Sequence, residues 1–358
     1  MSRQTLTFRQ HSSEPAKVAR LHQENGQSHE DQLGPEDVHI RFLAAPINPQ
    51  DLMVVAGKYP VQPEHRHAGE PIPGYDGVAR IERVGSAVSV LAPGNHVVPR
   101  AHGLGTWRSH ATVPAPSLLR VSATLDPIAA SLLKMGCGPA YLLLNSGARE
   151  LRPGDWVVLN AATGVIAQMT IQFAKLRGCH TISVIRDRDD VDSARQQLRA
   201  LGADTVVTES ELAAPGAVAS LAEGKRIKLA LDAVFGESGE RLAALLSPGA
   251  TYVNYGSLGG AVGASIPLTQ ELLFWKQITF KNFRLSQALS QYSEPEQEDL
   301  LGYFADLFEK GSLQTPAVDR VAWEAGPRLE EVVLQALDDA SGQSKRCVGA
   351  RKKVFHFS

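Results

Sequence analysis

Cysteine is scarce in this chain: three in 358 residues, Cys137, Cys179 and Cys347, far apart and odd in number. They supply neither a disulfide framework nor a four-thiolate zinc lobe, and they point to a reducing compartment. Long apolar runs are missing as well. No segment reaches the length of a membrane span, and Met1 to Arg9 has no signal-peptide core, so a transit peptide would lie outside this sequence. Neither sign of charge is in excess: 36 Lys+Arg against 38 Asp+Glu leave a formal charge of −2. That balance gives no global attraction to nucleic acid or to an anionic membrane, and an anionic partner must be met by a local basic patch. Repeats and low-complexity tracts are absent. What is present is an ordinary globular composition, 43% hydrophobic and 21% charged, with length for two domains.

Up to about residue 125 the chain is dense in β-branched runs punctuated by Pro and Gly, at residues 37–43, 77–84 and 96–99, after a first alternating stretch at 4–8. Such spacing suits an irregular β-rich domain. From Pro127 the pattern turns helical and then alternates strand with helix: 156–160, 168–177, 180–186, 191–201, 205–208, 229–234, 238–246 and 251–255. Alternation of this kind predicts a parallel sheet with helices on both faces. Two helices, 295–310 and 328–339, and a closing strand entered through Arg351-Lys352-Lys353 most simply return to the first domain. The expected division is 1–125, 126–289 and 290–358.

One unit within the alternation is more specific. Trp156-Val-Val-Leu-Asn160 reads as a strand entering the small-residue turn Ala161-Ala-Thr-Gly-Val-Ile-Ala167, followed by a helix from Gln168 to Arg177. Free N–H groups and the dipole at a helix start favour an anion, which makes Asn160, Thr163, Gly164, Val165 and Ile166 candidate cofactor-binding residues. The next strand closes in Arg186-Asp187-Arg188. Two guanidiniums at that point favour a ribose 2′-phosphate, so the expected cofactor is NADPH. Taken alone the signal is weak: Gly164 is the turn's only glycine, and arginines at a strand end also suit a solvated surface.

A β-rich start, a nucleotide-binding middle and a C-terminal return resemble the plan of the medium-chain dehydrogenase/reductase superfamily. That resemblance implies an α/β chain: a Rossmann-type doubly wound parallel sheet plus a β-rich GroES-like catalytic domain. Zinc is the first question there. The phrases Ile47-Asn-Pro-Gln-Asp51 and Pro73-Gly-Tyr-Asp-Gly77 stand at the positions to inspect and contain neither Cys nor His, while His65 and His67 flank Arg66 in a polar loop. A metal-free site is expected.

More narrowly, the chain is similar to the mitochondrial trans-2-enoyl-thioester reductases in Ala45-Pro-Ile-Asn-Pro-Gln-Asp51, Gly57-Lys-Tyr-Pro60, Gly103-Leu-Gly-Thr-Trp-Arg108, Val184-Ile-Arg-Asp-Arg188, Tyr255-Gly256 and Leu285-Ser-Gln287. The resemblance implies an NADPH-dependent oxidoreductase that reduces the 2,3 double bond of enoyl chains on coenzyme A or acyl carrier protein, in fatty-acid or related lipid biosynthesis. It further implies a homodimer and a mitochondrial location, with the cytoplasm as alternative. Tyr59 matches the family's active-site tyrosine. Asn48, Trp107 and Phe283 are the substrate-pocket candidates, with Trp107 equally suited to anchor a core and Asn48-Pro49 to make a turn, and Tyr255 with Gly256 would touch the nicotinamide. The chain departs from the pattern at Tyr75, Asp76, the phrase Gly136-Cys-Gly-Pro139 and Arg284, which puts the substrate in question. Arg284, Lys281 and Arg108 are candidate phosphate ligands for a carrier arm. Two rivals remain: a zinc-free quinone or enone reductase, and a catalytically silent NADPH-binding protein.

Overall fold

The computed structural model describes residues 2–25, 33–146, 151–259, 264–342 and 351–358, which leaves Cys347 outside. The chain forms two compact units.

The first unit comprises Met1–Lys134, Tyr292–Gly311 and Ala317–Ser358. It opens with an antiparallel hairpin of β1 (Ser2–Phe8) and β2 (Ala19–Asn25), and carries a second small pair, β4 (Arg66–His67) with β5 (Glu70–Pro71). Its main sheet uses β3 (Asp37–Pro46), β6 (Val78–Val84), β7 (His96–Pro99), β8 (His110–Pro114), β9 (Leu118–Val121), β16 (Val318–Trp323) and β17 (Lys352–Phe357). The order is β16-β17-β3-β6-β7-β9, with β8 also on β3. β3 pairs with β6 through register shifts at His39/Ile40 and Phe42/Ala44, while Asp37–Arg41 also pair with β8 and Ala44–Pro46 with β17.

Side chains that alternate inward along β3, Val38, Ile40 and Phe42, meet Trp107, Trp323 and Phe355 in the core. Onto this core the helix Leu329–Ser341 lays Leu329, Val333, Ala336 and Leu337, a spacing that keeps them on one face. Gly342, at φ +69, ends the helix in the left-handed region that a side chain disfavours. Phe355 is fully buried, and its truncation to Ala would cost about 3–5 kcal/mol.

The second unit, Met135–Gln291 with Ser312–Pro316, is built on six parallel strands: β10 (Trp156–Leu159), β11 (His180–Ile185), β12 (Thr205–Thr208), β13 (Ile227–Asp232), β14 (Thr251–Asn254) and β15 (Thr279–Asn282). Their order is β12-β11-β10-β13-β14-β15. Succession therefore runs outward from β10 in one direction and then restarts from β13 in the other, the doubly wound plan whose switch point receives ligands beyond the carboxyl ends of the strands. Val157, Val158, Leu159, Ile182, Val184, Leu229, Ala230 and Leu231 are all buried, as a sheet covered on both faces requires.

Several boundaries differ from expectation, among them the helix expected at 238–246, which is Gly236–Ala244. The helix after β10 is Val165–Leu176 and starts three residues before Gln168, because Gly164 takes the extended N-cap conformation and Val165-Ile166-Ala167 form the first turn. β13 begins at Ile227 and ends at Asp232, two residues early at each end.

Candidate active site

In the second unit the carboxyl ends of β10, β11, β13 and β14 lie side by side. After β10 the backbone reverses at Ala161, which adopts φ +48 although it is not glycine; a left-handed alanine costs roughly 1–2 kcal/mol. The turn is tied by Gly164 N–H to Ala161 O (2.8 Å), Ala162 N–H to Val184 O (3.1 Å) and Gln168 Nε2 to Thr163 O (2.7 Å). Gln168 N–H to Gly164 O (2.9 Å) is the first bond of the helix. The N–H groups of Val165, Ile166 and Ala167 therefore point out of its N-terminus, where an anion is favoured. Thr163 and Gly164 are accessible there.

Beyond β11, Arg186 is exposed. Asp187, the acid between the two arginines, is engaged elsewhere: it accepts from the hydroxyl and the N–H of Ser210, and these bonds hold its carboxyl below the usual range. Arg188 lies against Asp190 through both Nε and Nη2, an ion pair that a phosphate would have to displace.

Asn160 requires correction. Expected to donate to cofactor phosphates, it is fully buried, its Nδ2 donates to Asp232 Oδ1 (2.6 Å) and Ser238 Oγ (2.9 Å), and its Oδ1 accepts from Ala233 N–H (2.8 Å). Both amide hydrogens are used, so Asn160 ties the end of β10 to the end of β13. Asp232 is the hub of this network, accepting also from Val234 N–H, Phe235 N–H and the Tyr252 hydroxyl. The loop it holds is strained: Phe235 sits at φ 72, ψ −177, a region otherwise reserved for glycine.

Tyr255 N–H donates to Asp232 O (2.9 Å), and burial together with the Asp232 carboxylate raises its phenol above the ordinary value, which keeps it a neutral donor. At Gly256 a Cβ would stand 2.9 Å from Ala233 O, so only glycine allows this close passage of strand ends. Phe283 follows β15, is partly exposed, and donates its N–H to Asn254 O (2.9 Å). Turn, arginines and glycine passage lie along one edge of the sheet and fit an NADPH.

In the first unit Tyr59 is partly exposed, with its ring 6.0 Å from that of Tyr75 and 6.5 Å from that of His102. Gln62 Nε2 donates to Tyr59 O (2.6 Å). Tyr75 is buried and donates its hydroxyl to Val61 O. Burial, aided by Lys134, pushes His102 down to about 4, so its ring is neutral at physiological pH.

Asn48 follows β3 and is 8% exposed. Its N–H donates to Asp51 Oδ2 (2.7 Å), and Asp51 Oδ1 accepts from Tyr75 N–H (3.0 Å). Lys352 Nζ donates to Ile47 O (3.0 Å) and Asn48 Oδ1 (2.9 Å). Trp107 also requires correction: expected to wall an acyl pocket, it is wholly buried, edge-on to Phe355 (5.5 Å), with its indole N–H on Pro46 O (3.3 Å). It anchors the core beneath Gly74, where a Cβ would stand 2.5 Å from its ring.

Among the described residues no three His, Cys, Asp or Glu side chains gather as a metal site needs. At residues 47–51 a catalytic zinc does not fit, since the cation at Asn48 is already the Lys352 ammonium.

Comparison with known proteins adds ancestry to this geometry. Residues 34–123 match the alcohol dehydrogenase GroES-like domain and residues 165–301 the zinc-binding dehydrogenase family. The human mitochondrial enoyl-[acyl-carrier-protein] reductase is 34% identical over 311 residues, which cover 87% of this chain and 80% of that protein. The chain belongs to the mitochondrial enoyl-thioester reductase family. Two solved structures superpose along its length: the Etr1p/NADP/crotonyl-CoA complex and the Etr1p/Etr2p 2-enoyl thioester reductase heterodimer from Candida tropicalis. Each has TM-score 0.86 and 25% identity, and covers 99% of this chain and 100% of that one.

Sequence reading of this family member missed Asp232 and Lys352. Asp232 meets Asn160 across 72 residues, and Lys352 meets Asn48 across 304. Neither has a local motif; only the sheet register brings them together.

Proposed function

We propose that the chain is an NADPH-dependent reductase of the 2,3 double bond of trans-2-enoyl thioesters, carried on coenzyme A or acyl carrier protein, in fatty-acid or related acyl-chain synthesis. The observation that carries this reading is the 34% identity over 87% of the chain with a mitochondrial enoyl-[acyl-carrier-protein] reductase, supported by the likeness to a structure holding NADP and crotonyl-CoA.

In this reading residues 126–289 bind the cofactor, and residues 1–125 with 290–358 supply groups around the acyl chain. Thr163, Gly164, Val165 and Ile166 would hold the pyrophosphate through backbone N–H groups, Arg186 and Arg188 the 2′-phosphate, and Tyr255 with Gly256 the nicotinamide end. NADPH supplies the hydride that adds to the β-carbon. The protein's task is then the charge that develops on the thioester oxygen: Tyr59 donates a hydrogen bond to that enolate or passes a proton to the α-carbon. Asn48 in the first unit and Phe283 in the second are each kept as acyl-chain candidates.

Location and assembly follow the same reading. The relatives are mitochondrial by name, and we place this chain in the mitochondrion. Strand β15 is a largely exposed sheet edge, and Leu268, Leu273, Phe274 and Trp275 beside it expose about half or more of their surface. Such an edge next to an apolar patch suits a homodimer.

The test is NADPH and NADH oxidation measured in parallel against crotonyl-CoA, longer enoyl-CoAs and quinones. Turnover of crotonyl-CoA with NADPH is expected. Turnover of quinones alone would make the protein a quinone reductase, and none with any acceptor would make it a silent NADPH-binding protein.

A further inference from the structure

The contact between the closing strand and Asn48 has a direction built into it. Antiparallel register sets Val354 opposite Pro46 and Phe355 opposite Ala45, and Ile47 N–H continues the ladder to Lys353 O (3.0 Å). Lys352 therefore arrives beside Asn48, and its ammonium turns inward to Ile47 O and Asn48 Oδ1.

An ammonium can only donate, so the amide oxygen must face it and the NH₂ must face the other way. This settles which end of the Asn48 amide is which. The consequence is unusual: among the described residues, Asn48 Nδ2 is a buried donor with no hydrogen-bond partner. Such a group costs about 1–3 kcal/mol unless something accepts from it. The Asp51 carboxylate is engaged elsewhere: it accepts from Asn48 N–H and from Tyr75 N–H. The loop is clamped on three sides, and one donor is left over.

We propose that Lys352 is a positioning residue for the reduction: by holding Asn48 Oδ1 it fixes Asn48 Nδ2 as a hydrogen-bond donor to the thioester carbonyl oxygen of the substrate. The proposal rests on the enoyl-thioester reading above. Asn48 then shares with Tyr59 the charge that develops on that oxygen, and Lys352 acts through Asn48 without touching the substrate. Burial lowers the Lys352 pKa to about 8, and the nearby Asp51 and Asp76 carboxyls oppose that shift and favour the charged form.

Four variants test this: Lys352→Met, Lys352→Arg, Asn48→Asp and Lys352→Met/Asn48→Ala, with Asn48→Ala as reference. Asn48→Asp keeps the Lys352 contact while replacing the NH₂ donor with an acceptor oxygen, and Asn48→Ala removes the donor without adding charge, so the pair separates chemistry from folding even if Lys352→Met folds poorly. Steady-state kcat and KM for crotonyl-CoA, NADPH affinity and thermal stability are measured for each. Lys352→Met, Asn48→Ala and Asn48→Asp should each lower kcat by about 10–100-fold, with NADPH affinity unchanged. The double variant should be no slower than its slower parent, since both changes remove one donor. Lys352→Arg should recover most of the rate. Full kcat in Asn48→Asp, or a double variant whose rate falls by the product of the single effects, would overturn the proposal while leaving the enoyl-thioester reading intact. An unmodified protein that does not reduce crotonyl-CoA would overturn that reading, and the proposal with it.

Discussion

Asn160 and Asn48 occupy equivalent places in the two units and are used in opposite ways. Each follows the end of a sheet strand, and both side chains are buried. Asn160 has every amide hydrogen bonded, to Asp232 and Ser238. Asn48 is pinned by its oxygen and, among the described residues, keeps an unpartnered NH₂. A saturated buried amide makes a rigid joint, and an unsaturated one is a joint waiting for a ligand. On the proposed reading, the nucleotide-binding unit would offer its ligand mostly backbone, held still by side chains, and the other unit side chains, held still by neighbouring backbone and by Lys352.

The most severe way to break this contrast is at Asp232. Asp232→Ala leaves the buried Asn160 amide, the Tyr252 hydroxyl and two backbone N–H groups without their acceptor, and we expect a loss of about 4–5 kcal/mol in denaturant unfolding. A fall below about 1 kcal/mol, the scale of one ordinary hydrogen bond, would show that the network is not a rigid joint.

Tyr59→Phe probes the other unit. It should lower single-turnover reduction of crotonyl-CoA by about 10²–10³-fold with NADPH binding and thermal stability nearly unchanged. Full turnover would remove Tyr59 from the chemistry.

A smaller effect is expected at the strand-end arginines, where each charge-assisted hydrogen bond to the 2′-phosphate is worth about 1.5–3 kcal/mol. Arg186→Ala and Arg188→Ala should each raise the Michaelis constant for NADPH but not for NADH. Arg188 should cost less than Arg186, because its charge is shared with Asp190. Equal use of both cofactors by the unmodified protein would defeat the assignment.

The mildest change concerns the joint itself. Phe235→Gly relieves a backbone conformation costing about 1–3 kcal/mol but adds glycine's chain entropy of about 0.5–1 kcal/mol. The net expectation is a gain of about 1 kcal/mol, read as a raised thermal midpoint. A lowered midpoint would mean that the half-buried ring outweighs the strain.

Sequence and structure agree best where burial dictates pattern. Strand 156–160 was legible because both faces of that sheet are covered and Val157, Val158 and Leu159 are apolar and buried, and 180–186 and 205–208 were legible because their β-branched residues suit strands. Strand β15 escaped notice because Thr279–Asn282 is a largely exposed edge with no such run. The helix start was misplaced at Gln168 because Val165-Ile166-Ala167 carry no capping side chain; Gly164 caps by conformation alone. With Gly164 as its only glycine the turn still reverses, since Ala161 takes the left-handed conformation itself. Trp107 and Asn160 were read as ligand-binding residues because aromatic rings and amides serve both ligands and cores equally well. Only their partners, Pro46 and Phe355 for one and Asp232 for the other, tell the uses apart.

Strand β17 has a consequence for biosynthesis. It lies between β16 and β3 in the interior of its sheet, yet it emerges from the ribosome after the whole of the second unit. At about 5–20 residues per second, β3 waits on the order of tens of seconds for its neighbour, with an open edge that other nascent strands can pair with. A premature stop before Lys352 would therefore spare the nucleotide-binding unit and leave the other one unfinished. Its product would be expected in the aggregated fraction and in chaperone complexes, with nicotinamide-cofactor binding as the surviving activity.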